Sequence, residues 1–409
     1  MKRYALNTLV CPFTGSDLSL VSFEETPILL TNQDVERCDR LGIDAGEASS
    51  AVKEGILYSE QSRKWFPIVN YTPIMLDFPT GMHDEFRQRH GSESKILTDF
   101  EMVDGTPREG ELFIQRSFTR EWDLLDLDNI SFGYTPELRD EFVKLELDWP
   151  LGLLERGPLK ILEVGAGSGF ETASLERVTE GVVFGFDLNL ALVRKGHLLF
   201  SNAFVNTAIS SLFRLPLRPR SFPMVYSSGV LHHTYSTKDA FDSIEQFRTE
   251  DGVIYIWVYA LEDFNKTANA TGWYLVELFL RPRIARLRDR LQNLAVKVLT
   301  HLQYRYVDRR PGAFGFEKWT WKDSEHLARD RWTPLFAHRH SFKELMMWFE
   351  DKGLIHKFID GKSYGQTIGM PLTGIGIRGA PQSYFAKLAE NINTEVPESQ
   401  KGNSLTAAV

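Results

Sequence analysis

Leu159-Lys160-Ile161-Leu162-Glu163-Val164-Gly165-Ala166-Gly167-Ser168-Gly169-Phe170 is the stretch that decides the fold of this chain. Its apolar start reads as a buried parallel strand ending at Glu163 or Val164. Gly165, Gly167 and Gly169 then permit a tight turn with positive φ and let a ligand approach the backbone with no Cβ in the way. A helix is predicted to begin near Glu171. Further on, Gly181-Val182-Val183-Phe184-Gly185-Phe186-Asp187 is a second apolar strand that ends in an acid. In a doubly wound sheet, a carboxylate at that strand tip grips the two ribose hydroxyls, so the two strands together point to a nucleoside-like cofactor with Asp187 on its ribose.

A dinucleotide needs Gly-x-Gly-x-x-Gly, and with Gly165 and Gly167 as the first pair the third glycine position is Phe170. The turn also lacks an Arg or Lys to meet a pyrophosphate. Glu163 would repel one and attract a cation, which favours S-adenosylmethionine, whose sulfonium and amino groups are positive.

At this point the Glu-x-Gly-x-Gly-x-Gly turn resembles the first motif of class I S-adenosylmethionine-dependent methyltransferases, and Gly185-Phe186-Asp187-Leu188-Asn189 resembles the second. Leu215 to His233 is similar to the stretch running into and past that family's fourth strand. The resemblance covers residues 159–260, and more loosely 341–380. It implies that Glu163, Gly165, Gly167 and Gly169 frame the methionine half, Asp187 with Leu188 the ribose, and Ser211 with Leu212 the adenine edge. It also implies that Ser228 offers its backbone at the end of strand four. The chain departs from the pattern twice. Ser211 stands where an acid is common and brings no charge, and Pro223 replaces the usual acid at the strand-four entry, where it is easiest as a strand's first residue.

The expected fold class is α/β: a doubly wound, Rossmann-like methyltransferase sheet with a small β-rich N-terminal domain and a helical insertion. Length (409 residues) and 43% hydrophobic content allow two or three domains. The expected division is 1–80, 81–158 as a helical connector or cap, 159–390 as the catalytic domain with an insertion at 261–340, and a disordered tail at 391–409. A net charge of −8 argues against nucleic acid as the acceptor. Cys11 and Cys38 are the only cysteines, too few for a disulfide framework, and no stretch is apolar enough to span a membrane, so a cytoplasmic protein is expected.

In residues 1–80, Cys11-Pro12-Phe13-Thr14 and Ser59-Glu60-Gln61-Ser62 resemble the two knuckles of a zinc ribbon of the kind found beside or fused to some methyltransferases, as in tRNA-methyltransferase activators. Three of the four ligand positions are hydroxyls, so no zinc is expected, and Leu9, Leu57, Trp65, Phe66 and Ile68 should hold the module instead. In the connector, Phe118, Trp122 and Leu125 share a helix face, and Pro136 opens a second helix. Beyond residue 252, a strand runs to Tyr259. Ser341 with Glu344 marks a helix start that Gly353 ends, and strands at 354–359 and 374–379 form a closing hairpin.

In the insertion, Ile284, Leu287, Leu291, Leu294, Val298 and Leu302 predict one amphipathic helix packing as a lid, with Arg281, Arg283, Arg286, Arg288 and Arg290 crowding its start. Those arginines also fit a clamp for an anionic substrate, or a membrane-surface helix beside the apolar run Trp273 to Leu280. For chemistry, His232 and His233 after the fourth strand are the candidate bases. The leading expectation is methyl transfer to an O or N of a small metabolite, sugar or secondary-metabolism intermediate. A tRNA or rRNA methyltransferase and a non-catalytic binding scaffold are the alternatives.

Overall fold

The computed structural model describes residues 1–123, 135–147, 153, 157–261, 268–309, 320–358 and 369–376. A 3-10 turn at Arg3–Asn7 leads into β1 (Ser19–Pro27), α1 (Asn32–Leu41), α2 (Ala45–Ala48), β2 (Ser50–Ser59), β3 (Lys64–Val69) and β4 (Thr72–Pro73), paired in the antiparallel order β1-β2-β3-β4. Strand alternation sends Leu57, Phe66 and Ile68 to one face and Ile56 with Trp65 to the other. That second face is covered by α3 (Gly81–His90) and α4 (Ile96–Asp99) through Phe86, Leu97 and Phe100. β5 (Glu101–Met102) then pairs parallel with β3. The chain from Gly81 to Met102 thus packs on the first sheet and completes the burial of Trp65.

Next come α5 (Glu111–Asp123) and α6 (Pro136–Leu147), with Pro136 at its first position. The main sheet follows: β6 (Lys160–Val164), α7 (Phe170–Thr179), β7 (Val182–Asp187), α8 (Ala191–Leu199), β8 (Val205–Ile209), β9 (Phe222–Ser228), α9 (Thr237–Glu245) and β10 (Arg248–Tyr259). The insertion carries α10 (Ala268–Ala285), α11 (Asp289–Gln303) and α12 (Trp321–Trp332), after which α13 (Phe342–Asp351), β11 (Leu354–Phe358) and β12 (Gly369–Gly376) complete the described elements.

The seven strands are ordered β11-β12-β10-β9-β6-β7-β8, all parallel except β12, which runs antiparallel to both neighbours. This is the doubly wound, Rossmann-like sheet expected. Helices cover both faces because the strands alternate. Leu162, Val225 and Ile254 point toward Phe241 of α9 and Phe349 of α13, while Ile161, Met224 and Tyr255 point toward Val143 of α6 and Leu175 of α7.

Pro223 is the second residue of β9 and lies where the β9–β10 register is interrupted, between Arg248 and Val253, so its missing N–H costs no ladder bond. Ser341 caps α13 by accepting from the Glu344 N–H (3.2 Å), and Gly353 leaves the helix at φ 66°. Ile359, residues 377–379, Leu125 and the 391–409 tail lie outside the described residues.

The first sheet closes the β8 edge of the main one. Ile74 bridges Ile209 in parallel, the Met75 N–H donates to the Ile209 carbonyl (2.7 Å), and the Tyr4 hydroxyl donates to Ala203 (2.7 Å) while accepting from Asn206 (2.7 Å). An open edge strand is thereby covered by chain from the same molecule. At the four knuckle positions, Cys11 Sγ lies 3.3 Å from Ser62 Oγ, and Ser16 joins Thr14 (2.8 Å) to Ser59 (3.0 Å), so the side chains there bond one another. Among the described residues no helix is long and apolar enough to cross a membrane.

The insertion departs from expectation. Its single predicted helix breaks between α10 and α11, and Leu291, Leu294, Val298 and Leu302 face solvent, while Gln292, Val296 and Thr300 are buried. The lid packs instead through Ile284, Val296, Ala328 and Trp332.

Helix α6 is fastened by a buried polar cluster. The Arg139 guanidinium bonds Glu146 (3.0 and 3.2 Å), Glu171 and the Tyr226 hydroxyl (2.5 Å), and Tyr226 stacks on Tyr255 at 4.7 Å. Removing the cation strands Glu146 in the interior. Arg139→Met is expected to lower unfolding free energy in urea by about 3–5 kcal/mol, and the double change Arg139→Met/Glu146→Met by less. Equal losses would mean that the buried charge is not the cause.

Candidate active site

The glycine turn follows β6 directly. Gly165 and Ala166 donate their N–H groups to the Phe186 carbonyl (2.7 and 3.1 Å), tying the turn to the end of β7. Gly165, Gly167 and Gly169 have φ of 94°, 56° and 85°. A Cβ on Gly165 would overlap Val230, one on Gly169 would overlap Leu199, and one on Gly167 would stand 2.8 Å from the Trp122 ring. The glycines are thus demanded by backbone conformation and by what packs on them.

Glu163 is buried, neither of its oxygens has a hydrogen-bond partner, and burial pushes its carboxyl up to about 8. Asp187 accepts from the Gly167 N–H (2.8 Å) on one oxygen and the Asn189 N–H (2.7 Å) on the other, leaving each with a further lone pair; burial raises its pKa too. Asn189 locks this corner by donating to the Gly167 carbonyl (3.0 Å).

At the third strand's end, Ser211 is buried, and its hydroxyl donates to Glu111 Oε1 (2.5 Å) while accepting from the Phe213 N–H (3.2 Å). Sequence alone left this edge without charge. The structure corrects that reading: Glu111, at the start of α5, brings a buried carboxylate there. Helix α5 continues across the strand ends, with Gln115 donating to the Leu188 carbonyl (3.1 Å) and Thr119 accepting from the Leu190 N–H (2.9 Å). Leu212 is half-buried beside Ser211. Ser228, the last residue of β9, precedes Gly229, whose N–H donates to the Trp257 carbonyl (3.0 Å).

The two histidines differ. The His233 Nδ1–H donates to the Phe336 carbonyl (2.8 Å), and its Nε2, without a hydrogen bond, faces Asp330 Oδ1 at 3.5 Å. His232 is fully buried with both ring nitrogens unpartnered, and burial, with His233 second, holds its pKa well below the usual value. Its ring lies 3.9 Å from that of Tyr259, whose hydroxyl donates to Asp330 Oδ2 (2.6 Å). Burial pushes the Asp330 carboxyl up, but His233 and Tyr259 outweigh it and keep Asp330 below the ordinary value. Glu121 of α5 meets His326 of α12 at 2.9 Å, and burial and then Asp330 push its pKa up.

Beyond Tyr259 lies a cationic group. Buried Glu277 is shared by Arg281, by Arg331 (3.1 Å) and by Arg339 (3.2 Å), and Arg339 stands over the Tyr259 ring at 4.9 Å. Three guanidiniums thus face Glu277 and the nearby Asp330. Of the arginines singled out in the sequence, only Arg281 belongs to this group. Arg283, Arg286, Arg288 and Arg290 are exposed, and two of them, Arg283 and Arg286, bond carbonyls of their own helix. Glu111, Glu121, Asp330 and Glu277 were missed because no spacing links them to the strand ends.

Residues 162–256, from β6 into β10, match the sequence profile of a family described as a methyltransferase domain. No curated protein matches the chain by sequence. Among solved structures it is similar to a chain of the complex between the Haloferax volcanii Trm112 methyltransferase activator and a methyltransferase, with 13% identity over 58% of this chain and 93% of that one (TM-score 0.34). It is also similar to an S-adenosylmethionine-dependent methyltransferase from Mesorhizobium loti, with 14% identity over 61% and 100% (TM-score 0.35). A third is Haemonchus contortus phosphoethanolamine N-methyltransferase 2, with 14% identity over 66% and 61% (TM-score 0.37). These likenesses say nothing about the acceptor. The chain carries a methyltransferase domain over residues 162–256 and is a methyl-transferring enzyme.

The turn's packing yields a stability test. Gly165→Ala combines positive φ with the overlap on Val230, whereas Gly157→Ala has positive φ (90°) but open space. Gly157→Ala is expected to cost about 1–3 kcal/mol and Gly165→Ala measurably more in urea unfolding, with Val230→Ala recovering part of the excess.

Proposed function

We propose that this enzyme methylates an O or N of a small acceptor bearing a carboxylate or phosphate. The reading rests on one observation: the cationic group of Arg281, Arg331 and Arg339 is continuous, through Tyr259, with the unpartnered imidazole of His232 at the end of the parallel sheet. A buried excess of guanidinium charge is stabilised by an anion. The chain's net −8 supports a small acceptor over a nucleic acid.

The residues fit the donor. Glu163 offers two orphaned oxygens to a cation, Asp187 keeps lone pairs for ribose hydroxyls, and Glu111 with Ser211 supplies acceptors at the adenine edge. In this reading Gly165, Gly167 and Gly169 give backbone access, and Leu188, Leu212 and the Ser228 backbone border the nucleoside. S-adenosylmethionine supplies, when bound, an electrophilic methyl on a sulfonium. The chain's work is alignment and exclusion of water by α5 and α12. His232, neutral and free at both nitrogens, is the group to receive a proton from a hydroxyl or amine acceptor, while His233, held by Phe336 and Asp330, positions it. Residues 1–80 are read as a ribbon-like module without zinc, supported by the hydroxyl bonding at its knuckle positions.

Asp187→Ala is expected to weaken S-adenosylmethionine binding by at least about 100-fold in calorimetry, since two hydrogen bonds to a charged acceptor are lost. Unchanged affinity would sink the proposed site.

Glu163 gives binding a pH dependence with a defined sign. Its folded pKa of about 8 means that the protonated form dominates at neutral pH, and a cationic ligand binds the carboxylate. Affinity should therefore rise with pH, by up to about tenfold per unit between pH 6 and 7.5, with proton release. Glu163→Gln should flatten the profile, and a flat wild-type profile would remove Glu163 from the cation site.

A further inference from the structure

The insertion leaves its apolar row uncovered. On α11, Leu291, Leu294, Val298 and Leu302 recur at i, i+3, i+7 and i+11 and form one straight line along the helix. Each is about half exposed, from 46% to 60%, whereas the polar Gln292 and Thr300 are inside. The usual arrangement is inverted. Helix α10 adds Leu275, Val276, Leu278 and Phe279, all more than 40% exposed. So many large apolar side chains on one helical hairpin exceed the scatter of an ordinary surface.

Charge selects what covers them. From Leu278 to Arg309 the chain carries eight Lys or Arg residues against Asp289 and Asp308, although the whole chain has a net charge of −8. Arg283, Arg286, Arg288, Arg290, Lys297 and Arg305 are exposed. At about 100° per residue, Arg290, Lys297 and His301 run beside the leucine row, roughly a quarter turn away. An apolar row flanked by a basic row suits a helix lying in the plane of an anionic bilayer surface, with long basic side chains reaching the headgroups. A second copy of the chain fits poorly, because a two-fold contact would bring the same basic row against itself.

We propose that the α10–α11 hairpin docks the enzyme on anionic lipid, with the α11 leucine row in the headgroup–acyl boundary. Docking needs no spanning segment. It is independent of the acceptor assignment, because the exposed row is on the far side of α11 from the buried contacts with α12.

The test is flotation of the full chain with vesicles of phosphatidylcholine containing phosphatidylglycerol, against pure phosphatidylcholine. Binding is expected to the anionic vesicles only and to weaken with salt. Leu294→Asp/Val298→Asp should reduce partitioning at least about tenfold, and Arg290→Ala/Lys297→Ala about 25-fold, at about fivefold per basic residue. All four positions are exposed, so the thermal midpoint and S-adenosylmethionine affinity should not change, which separates failed docking from failed folding or a failed cofactor site. No flotation of the wild type, or equal flotation of the variants, overturns the proposal. So does a lipid-free dimer, seen by light scattering, that Leu294→Asp dissociates, because that outcome assigns the row to a second copy.

Discussion

The parallel register that sets Glu163 of β6 between Gly185 of β7 and Tyr226 of β9 is the constraint on which the strand-end chemistry depends. A Cβ at Gly185 would stand 3.1 Å from Glu163 Oε2 and 3.0 Å from Ala166 Cβ, so the glycine opposite relieves crowding around that side chain. On the other side, Tyr226 directs its hydroxyl away to Glu146 (2.5 Å) and Glu171 (2.7 Å), and no donor is spent on Glu163. A buried carboxyl without partners is costly, and the fold sustains it at the end of β6, directly before the glycine turn. The same register brings Asp187 and Ser228 to the same edge as the glycine turn.

Helix α5 joins the two halves of the site. Glu111, Gln115 and Thr119 run across the chain beyond β7 and β8, while Phe118 meets the His233 ring at 5.1 Å and Glu121 reaches the insertion. Burying two carboxylates on one helix is unfavourable unless each is matched. Glu111 is matched by the Ser211 hydroxyl and the Arg108 N–H (2.6 Å), and Glu121 by His326. One helix therefore contacts both the strand ends and the insertion.

What could be read from the sequence were the parts in which consecutive residues carry the signal. The glycine turn, the acid at the end of β7, the cap at Ser341 and the stop at Gly353 are local chemistry, and all four stand where expected. The Glu111–Ser211 pair joins positions 100 apart and shows no pattern at either end. The α11 row was legible as a periodicity, but periodicity gives spacing and not direction. Leu291 and its companions were assigned to the core because apolar rows usually lie there, yet Ile284, Val296, Ala328 and Trp332 already fill that space. The Arg-rich start misled for a related reason: charge density is visible in sequence, but which guanidinium turns inward is decided by Glu277.

The contacts between α5 and the insertion are of two kinds, some at an exposed rim and some buried. Between α5 and the insertion, Ser117 bonds Thr333 (2.5 Å), Arg116 donates to the Ala285 carbonyl (2.9 Å), and Arg120 bonds Gln292 (3.1 Å) and Asp289. The bonds of Arg116 and Arg120 at the rim are worth about 0.5–1.5 kcal/mol apiece, but Ser117–Thr333 is buried, as is the Glu121–His326 pair of the same seam. A second buried group lies within the insertion itself, where Glu277 of α10 gathers Arg281 of the same helix, Arg331 of α12 and Arg339. The α5 seam is accordingly held by its buried pairs, Glu121–His326 and Ser117–Thr333, while the arginines at its rim set how α5 and α11 lie against each other.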